Sequence, residues 1–197
     1  MEDYKRETID SYDKNAKAFS EKFKSLMDHG KRNEFQKFIN LLKGKKILDL
    51  GSGGGDHAVY FRDNGLDVTC VDLSEGMLDL CREKGLNAIK MDIENLTFPE
   101  NSFDGIWAVT SLLHVPKSKM GEIVDGLSKI IKKDGILYVC VKEGKGEEFV
   151  DDISGRRLFS YWNKDELIGL FESNFRLIDA ERDIFGKTIY LKLFFRG

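Results

Sequence analysis

At 197 residues, with 41% hydrophobic and 33% charged residues, the chain has enough apolar side chain for one sizeable core and enough charge for a soluble surface. A formal charge of -3 gives no overall basic footprint for nucleic acid. The charged opening, "MEDYKRETID", has no apolar h-region, and no apolar run approaches the ~18–20 residues that span a bilayer, so a cytoplasmic protein without signal peptide or membrane segment is expected.

The elements follow in chain order. Ile9, Tyr12, Ala16, Phe19, Phe23 and Leu26 recur at steps of three and four, which predicts an N-terminal helix with one apolar stripe. Phe35, Phe38, Ile39 and Leu42 repeat the pattern in a second helix, after a break at "DHGKRN" and before a stop at Gly44. From Lys46 strands and helices alternate. "KILDL" is a strand, "HAVYFRDNG" a helix closed by Gly65, "DVTCVDL" a strand and "EGMLDLCREKG" a helix closed by Gly85. "NAIKMDI" and "FDGIWAVTS" are the third and fourth strands. Met120, Ile123, Val124, Leu127, Ile130 and Ile131 mark an amphipathic helix entered through Pro116 and Ser118, and "GILYVCVK" is the fifth strand. "NKDELIGLF" reads as a helix capped by Asn163, and "FRLIDAERDI" and "KTIYLKLFF" as strands around a tight turn at Phe185 and Gly186.

Continuously apolar strands separated by helices imply a parallel sheet covered on both faces. The expected fold is therefore α/β: a doubly wound, mostly parallel seven-stranded sheet with a C-terminal antiparallel hairpin and an N-terminal helical extension. One domain over 1–197 is expected, with 1–44 as helical cover and 45–197 as core. Cys70, Cys81 and Cys140 form no CxxC unit and read as buried free thiols; His29, His57 and His114 are not at metal-ligand spacing, so no metal is expected.

The stretch "KKILDLGSGGGDHAVYF" places four glycines at the carboxyl end of the first strand, where open α/β sheets bind ligands. A phosphate-cradling loop would need Lys-Ser or Lys-Thr after the glycines, and neither is there. The dinucleotide fingerprint starting at Gly51 meets Asp56 where it wants Gly or Ala, a carboxylate at a helix N-terminus that favours anions. Asp49, on the end of the strand, suits a ligand with a positive group better than one with phosphates. The nucleotide-cofactor reading is weakened and stays open.

"DLGSGGG" resembles motif I of the Rossmann-like (class I) S-adenosylmethionine-dependent methyltransferases, D/E-x-G-x-G-x-G, through Asp49, Gly51, Gly53 and Gly55. "VDLS" puts Asp72 where an acid can accept from both ribose hydroxyls, and "LSEGML" resembles the run that follows it in the family through Ser74, Met77 and Leu78. "KMDIENLTFPENSFDGIWA" is similar to the third motif, with Asp92 accepting from the adenine amino group and Met91 and Ile93 flanking the ring. "TSLLHV" stands at the motif IV position, and "IIKKDGILYV" resembles the entry to strand five, with Asp134 in place of a proline. The resemblance covers residues 45 to 142. It implies S-adenosyl-L-methionine as cofactor and in-line methyl transfer to a small-molecule acceptor, with Asp49, Gly51, Ser52, Gly53, Gly55, Asp72, Leu73, Met77, Met91, Asp92, Ile93, Ser111 and Tyr12 around the cofactor. Tyr12 enters through "SYDKNAKAF", similar to the family's Y-D-x-x-A.

A base, if the acceptor needs one, should lie beyond strands four and five. His114 is the candidate catalytic residue, with a pocket position as its other reading. Glu143 reads as a solvated loop acid and His57 as an exposed helix residue, each with a pocket position as its other reading. Arg156 and Arg157, beside Phe159, Tyr161 and Trp162, either grip an anionic substrate or base or simply pack. An RNA- or tRNA-modifying methyltransferase acting through these arginines is the alternative, although "NPPY" and Pro-Cys motifs are missing; a nucleotide-dependent oxidoreductase is the third reading. Neither the acceptor's identity nor the oligomeric state can be read from the sequence.

Overall fold

A computed structural model describes residues 2–21, 33–153 and 155–197. Phe23, Leu26 and His29, and most of the expected break before the second helix, lie outside the described residues. Helix α1 (Asp3–Lys14) is followed by helical residues 16–21, and α2 covers Asn33–Leu41. The core then runs β1 (Lys46–Leu50), α3 (Asp56–Asp63), β2 (Asp67–Asp72), α4 (Glu75–Glu83), β3 (Asn87–Lys90), β4 (Phe103–Val109), α5 (Met120–Ile130) and β5 (Ile131–Lys142). After it come β6 (Glu147–Asp152), β7 (Gly155–Ser160), α6 (Lys164–Phe171), β8 (Arg176–Phe185) and β9 (Thr188–Arg196).

The seven-stranded sheet has the order β3-β2-β1-β4-β5-β9-β8, parallel through β5 and antiparallel from β5 to β9 to β8. β2 and β4 flank β1 on opposite sides, so the crossovers leave β1 in opposite directions and open a crevice at its carboxyl end. One face of the sheet buries Val124, Leu127, Phe171 and their neighbours under α5 and α6. The other is aromatic, with Trp107 stacked on Tyr138 at 4.1 Å and ringed by Phe35, Phe38 and Phe61. His57, expected on an exposed helix face, is instead half-buried in this cluster and accepts from Trp107 Nε1 at 2.9 Å, because a buried indole N–H needs a partner.

Other departures have local causes. The third strand stops at Lys90, so Met91, Asp92 and Ile93 lie in a loop; the Asp92 carboxylate takes the Glu94 N–H at 3.0 Å, an Asx turn that competes with the ladder. The fifth strand begins earlier than expected, directly after α5, and bends at Asp134 (φ 63°). The terminal turn is one residue later, Gly186 and Lys187, with Gly186 at φ 60°. The β6–β7 hairpin was not anticipated. Its first strand, "EEFVDD", is acidic and mostly exposed, and so carries neither apolar alternation nor strand propensity. Among the described residues no helix is long and apolar enough to cross a membrane, and no three His, Cys, Asp or Glu are grouped to hold a metal.

Candidate functional site

The glycine loop wraps the end of β1. Gly51, Gly53 and Gly55 all have positive φ, and a Cβ on Gly51 would lie 2.3 Å from the Ser111 Cβ, so the loop and the β4 end approach as only glycine permits. Asp72, at the end of β2, accepts from Gly53 N and Ser74 N, both at 2.9 Å, one on each oxygen. A carboxylate has about four acceptor sites, so capacity remains for two further donors. Burial pushes the Asp72 carboxyl up, and these backbone bonds oppose it. Asp49 lies beneath the loop, 2% exposed, its Oδ2 without a partner; burial, then Cys81 and Asp72, push it well above the carboxylate range. Asp56 turns from its helix axis to Lys84 at 2.8 Å.

Above the loop is a cleft of about 800 Å3 including its open mouth. Gly51, Gly53, Asp72 and Leu73 form one side, Asp92, Ile93 and Glu94 another, and Ser111 and His114 come from the turn after β4. Helix α1 closes it with Lys5, Thr8, Ile9 and Tyr12. Asp13 fastens α1 to the start of α4 by accepting from Ser74 Oγ at 2.5 Å and Gly76 N at 3.0 Å. At its other end Lys5 pairs with Asp92 at 2.7 Å and Glu94 at 2.9 Å; Lys119 pairs with Glu94 at 2.8 Å and with Glu2, and Tyr4 donates to Glu94.

Across the cleft Tyr12 Oη lies 2.8 Å from His114 Nε2, and His114 Nδ1 lies 2.6 Å from the Leu158 carbonyl. A carbonyl only accepts, so Nδ1 carries the proton, Nε2 is a lone pair, and Tyr12 donates to it. Burial lowers His114 to about 4, with the positive fields of Arg157 and Lys142 acting the same way against the Leu158 bond. Burial raises Tyr12 to about 12. The histidine is thus neutral at physiological pH.

Of the residues singled out in the sequence, Gly51, Gly53, Asp72, Leu73, Asp92, Ile93, Ser111, Tyr12 and His114 line this one cleft. Asp49, Ser52 and Gly55 stand behind it, in the loop and strand that shape it. Met77, 1% exposed, packs with Ala16 and Phe19, and Met91 packs on the larger core. Glu143 pairs with Arg182 at 2.7 Å, and Arg156 stacks on Phe149 and pairs with Glu7. Sequence reading missed Lys5, Thr8, Glu94, Val109, Thr110 and Val115. Lys5, Thr8 and Tyr12 share a helix face by their spacing, a legible signal that the apolar stripe overshadowed.

The donors and acceptors present fit S-adenosylmethionine. Two buried oxygens without partners, Asp49 Oδ2 and Ser111 Oγ, offer acceptors to an ammonium-bearing tail. Asp72 offers acceptors to a pair of hydroxyls, and Leu73, Ile93 and Val109 offer apolar faces to a ring. Residues 48–139 match the family described as methyltransferase domain. Ubiquinone biosynthesis O-methyltransferase of Coxiella burnetii is 34% identical over 103 residues, 49% of this chain and 43% of that protein. Demethylmenaquinone methyltransferase of Clavibacter sepedonicus is 29% identical over 102 residues, 49% of this chain and 41% of that one. Over residues 48–139 the chain is similar to the class I S-adenosylmethionine-dependent methyltransferases. Its fold is that of 1,6-didemethyltoxoflavin-N1-methyltransferase of Burkholderia thailandensis, solved with bound 1,6-didemethyltoxoflavin and S-adenosylhomocysteine (TM-score 0.73, 21% identity, 94% of this chain and 87% of that one). PH0226 of Pyrococcus horikoshii superposes with a TM-score of 0.72 at 19% identity, covering 100% of this chain and 99% of that one. The chain spans about half, or less, of the length of the curated relatives it matches. The same fold serves the [4+2]-cyclase SpnF (TM-score 0.66, 22% identity), so chemistry must be argued from the site.

Proposed function

We propose that this protein transfers the methyl group of S-adenosylmethionine to a small-molecule acceptor, in a single domain whose first 44 residues cover the cofactor core. The observation that carries the reading is the cleft itself: the glycine loop, Asp72 and Asp92 on one side, and a Tyr12–His114 pair on the other, under one helix. The cofactor, when bound, supplies a sulfonium-activated methyl group. Asp72 would hold the ribose hydroxyls through its spare lone pairs, and Asp92 the adenine amino group between Leu73 and Ile93. Asp49 offers its unpartnered oxygen beneath the loop, where a cationic tail would favour its ionised form.

The protein's remaining task is to orient the acceptor and keep water out, and proximity of this kind can supply ~7–11 kcal/mol of a barrier. Helix α1 does both, since it roofs the cleft and presents Tyr12. An acceptor hydroxyl becomes strongly acidic as its bond to the methyl group forms. The proton then passes to the Tyr12 oxygen as the tyrosine gives its own to His114 Nε2, so a weak base suffices. His114 is in this reading the catalytic base and Tyr12 the relay.

Calorimetric titration with S-adenosylhomocysteine and with NAD(P) tests the cofactor, and labelled-methyl transfer into metabolite and tRNA pools tests the acceptor class. Asp72→Ala should weaken S-adenosylhomocysteine binding by ~10–100-fold, the loss of charge-assisted hydrogen bonds. NAD(P) binding without S-adenosylhomocysteine binding would favour an oxidoreductase. Label in tRNA, with a steep salt dependence, would favour RNA modification.

A further inference from the structure

We propose that the methyl acceptor carries an anionic oxygen group, a carboxylate or phosphate, and that Arg157 receives it. This rests on the methyl-transfer reading and names the acceptor class for the same cleft. Arg157 stands on β7 with its side chain 8% exposed. Its guanidinium carbon lies 4.9 Å from the Phe19 ring centre, 5.5 Å from Phe159 and 5.7 Å from Tyr12. Tyr12 lines the cleft and Phe159 packs edge-on against His114, which also lines it, so the charge sits directly behind the wall that holds the proposed base.

A buried guanidinium is costly unless its five N–H donors are met. Arg157 has one ion pair, Nη2 to Asp152 Oδ2 at 2.5 Å, with Asp152 42% exposed at the hairpin end, and its guanidinium also reaches the Tyr12 hydroxyl. The buried Nε has no partner. Arg156, the adjacent residue and so on the opposite face of the strand, stays exposed, stacks on Phe149 and pairs with Glu7. A second cation, Lys142 Nζ, lies 4.1 Å from the Phe159 ring centre. Two cations around one aromatic wall disfavour a cationic acceptor, and an incoming carboxylate or phosphate would supply the oxygen that Nε lacks.

The test is calorimetry on the full chain saturated with S-adenosylhomocysteine, with ring probes matched in size: benzoate and phenyl phosphate against benzamide and benzylamine. The anions should bind about tenfold or more tighter than benzamide, with benzylamine weakest. Arg157→Gln should abolish that preference while S-adenosylhomocysteine affinity stays within about twofold. Asp152→Asn, at the exposed hairpin end, removes the competing carboxylate and should tighten the anions several-fold, a readout that survives if Arg157→Gln fails to fold. Equal binding of amide and anions, no anion binding at about 10 mM, or indifference to Asp152→Asn would each overturn the proposal. Failure of S-adenosylhomocysteine to bind the unmodified chain is a separate result, which removes the methyl-transfer reading and this inference with it.

Discussion

His114 gives the stability of this protein a specific response to acid. Its ordinary value is 6.5 and its folded value about 4, so the folded state resists the proton that the unfolded state accepts. For such a group stability is complete above the unfolded value and is lost as pH falls from about 6.5 towards 4. The full loss is ~3 kcal/mol, and at pH 5 ~2 kcal/mol is already gone. Asp49 and Asp72 act with the opposite sign. Their carboxyls are raised in the fold, so acid favours the folded state through them. The histidine's share is therefore isolated by comparison with His114→Gln, which cannot titrate. Urea unfolding at pH 7.5 and pH 5, fitted for both proteins, should show the parent losing ~2 kcal/mol more than the variant between the two conditions. Any constant cost of replacing the ring cancels in that difference. Parallel losses, or a difference below ~0.5 kcal/mol, would mean that His114 is not held neutral by burial and the Leu158 bond.

Three further outcomes follow from the site. Gly51→Ala should cost ~2 kcal/mol or more in chemical denaturation, from its positive φ and the Ser111 Cβ in its way; adding Ser111→Gly should return the steric part and leave the backbone part. Lys5→Met removes the ion pairs from α1 to Asp92 and Glu94 and leaves the Tyr4 bond to Glu94, so stopped-flow association and dissociation rates of S-adenosylhomocysteine should both rise, with the salt dependence of the parent's rates reduced. Asp49→Asn should raise stability at neutral pH, since the fold no longer has to hold a carboxyl whose ionisation burial opposes, while S-adenosylhomocysteine binds ~10-fold or more weakly by calorimetry. A variant more stable and equally tight in binding would leave Asp49 without its proposed role.

The nucleotide side of the cleft was legible in the sequence because its chemistry is local. Asp49, Gly51 and Gly53 fall within one turn of chain, Asp72 ends the next strand, and Asp92 and Ile93 follow the third, so one strand-end position recurs three times at short spacing. The acceptor side has no such economy. Tyr12 meets His114 across 102 positions, and His114 meets Leu158 across 44. No periodicity within a helix or strand reports a partnership of that kind. β7 enters the site only because an acidic, exposed strand pairs with it, and "EEFVDD" gives up strand propensity to remain soluble at the edge of a two-stranded sheet. The hairpin that hides Arg157 is thus written in the part of the sequence with the weakest structural signal. That division has a physical basis: the proposed cofactor side is built by backbone geometry at strand ends, which constrains residue type closely, while the proposed acceptor side is built by side chains on a helix and a hairpin that need only pack. On the proposed reading, a wall with so little backbone constraint lets Arg157 or Phe159 be exchanged without disturbing the glycine loop.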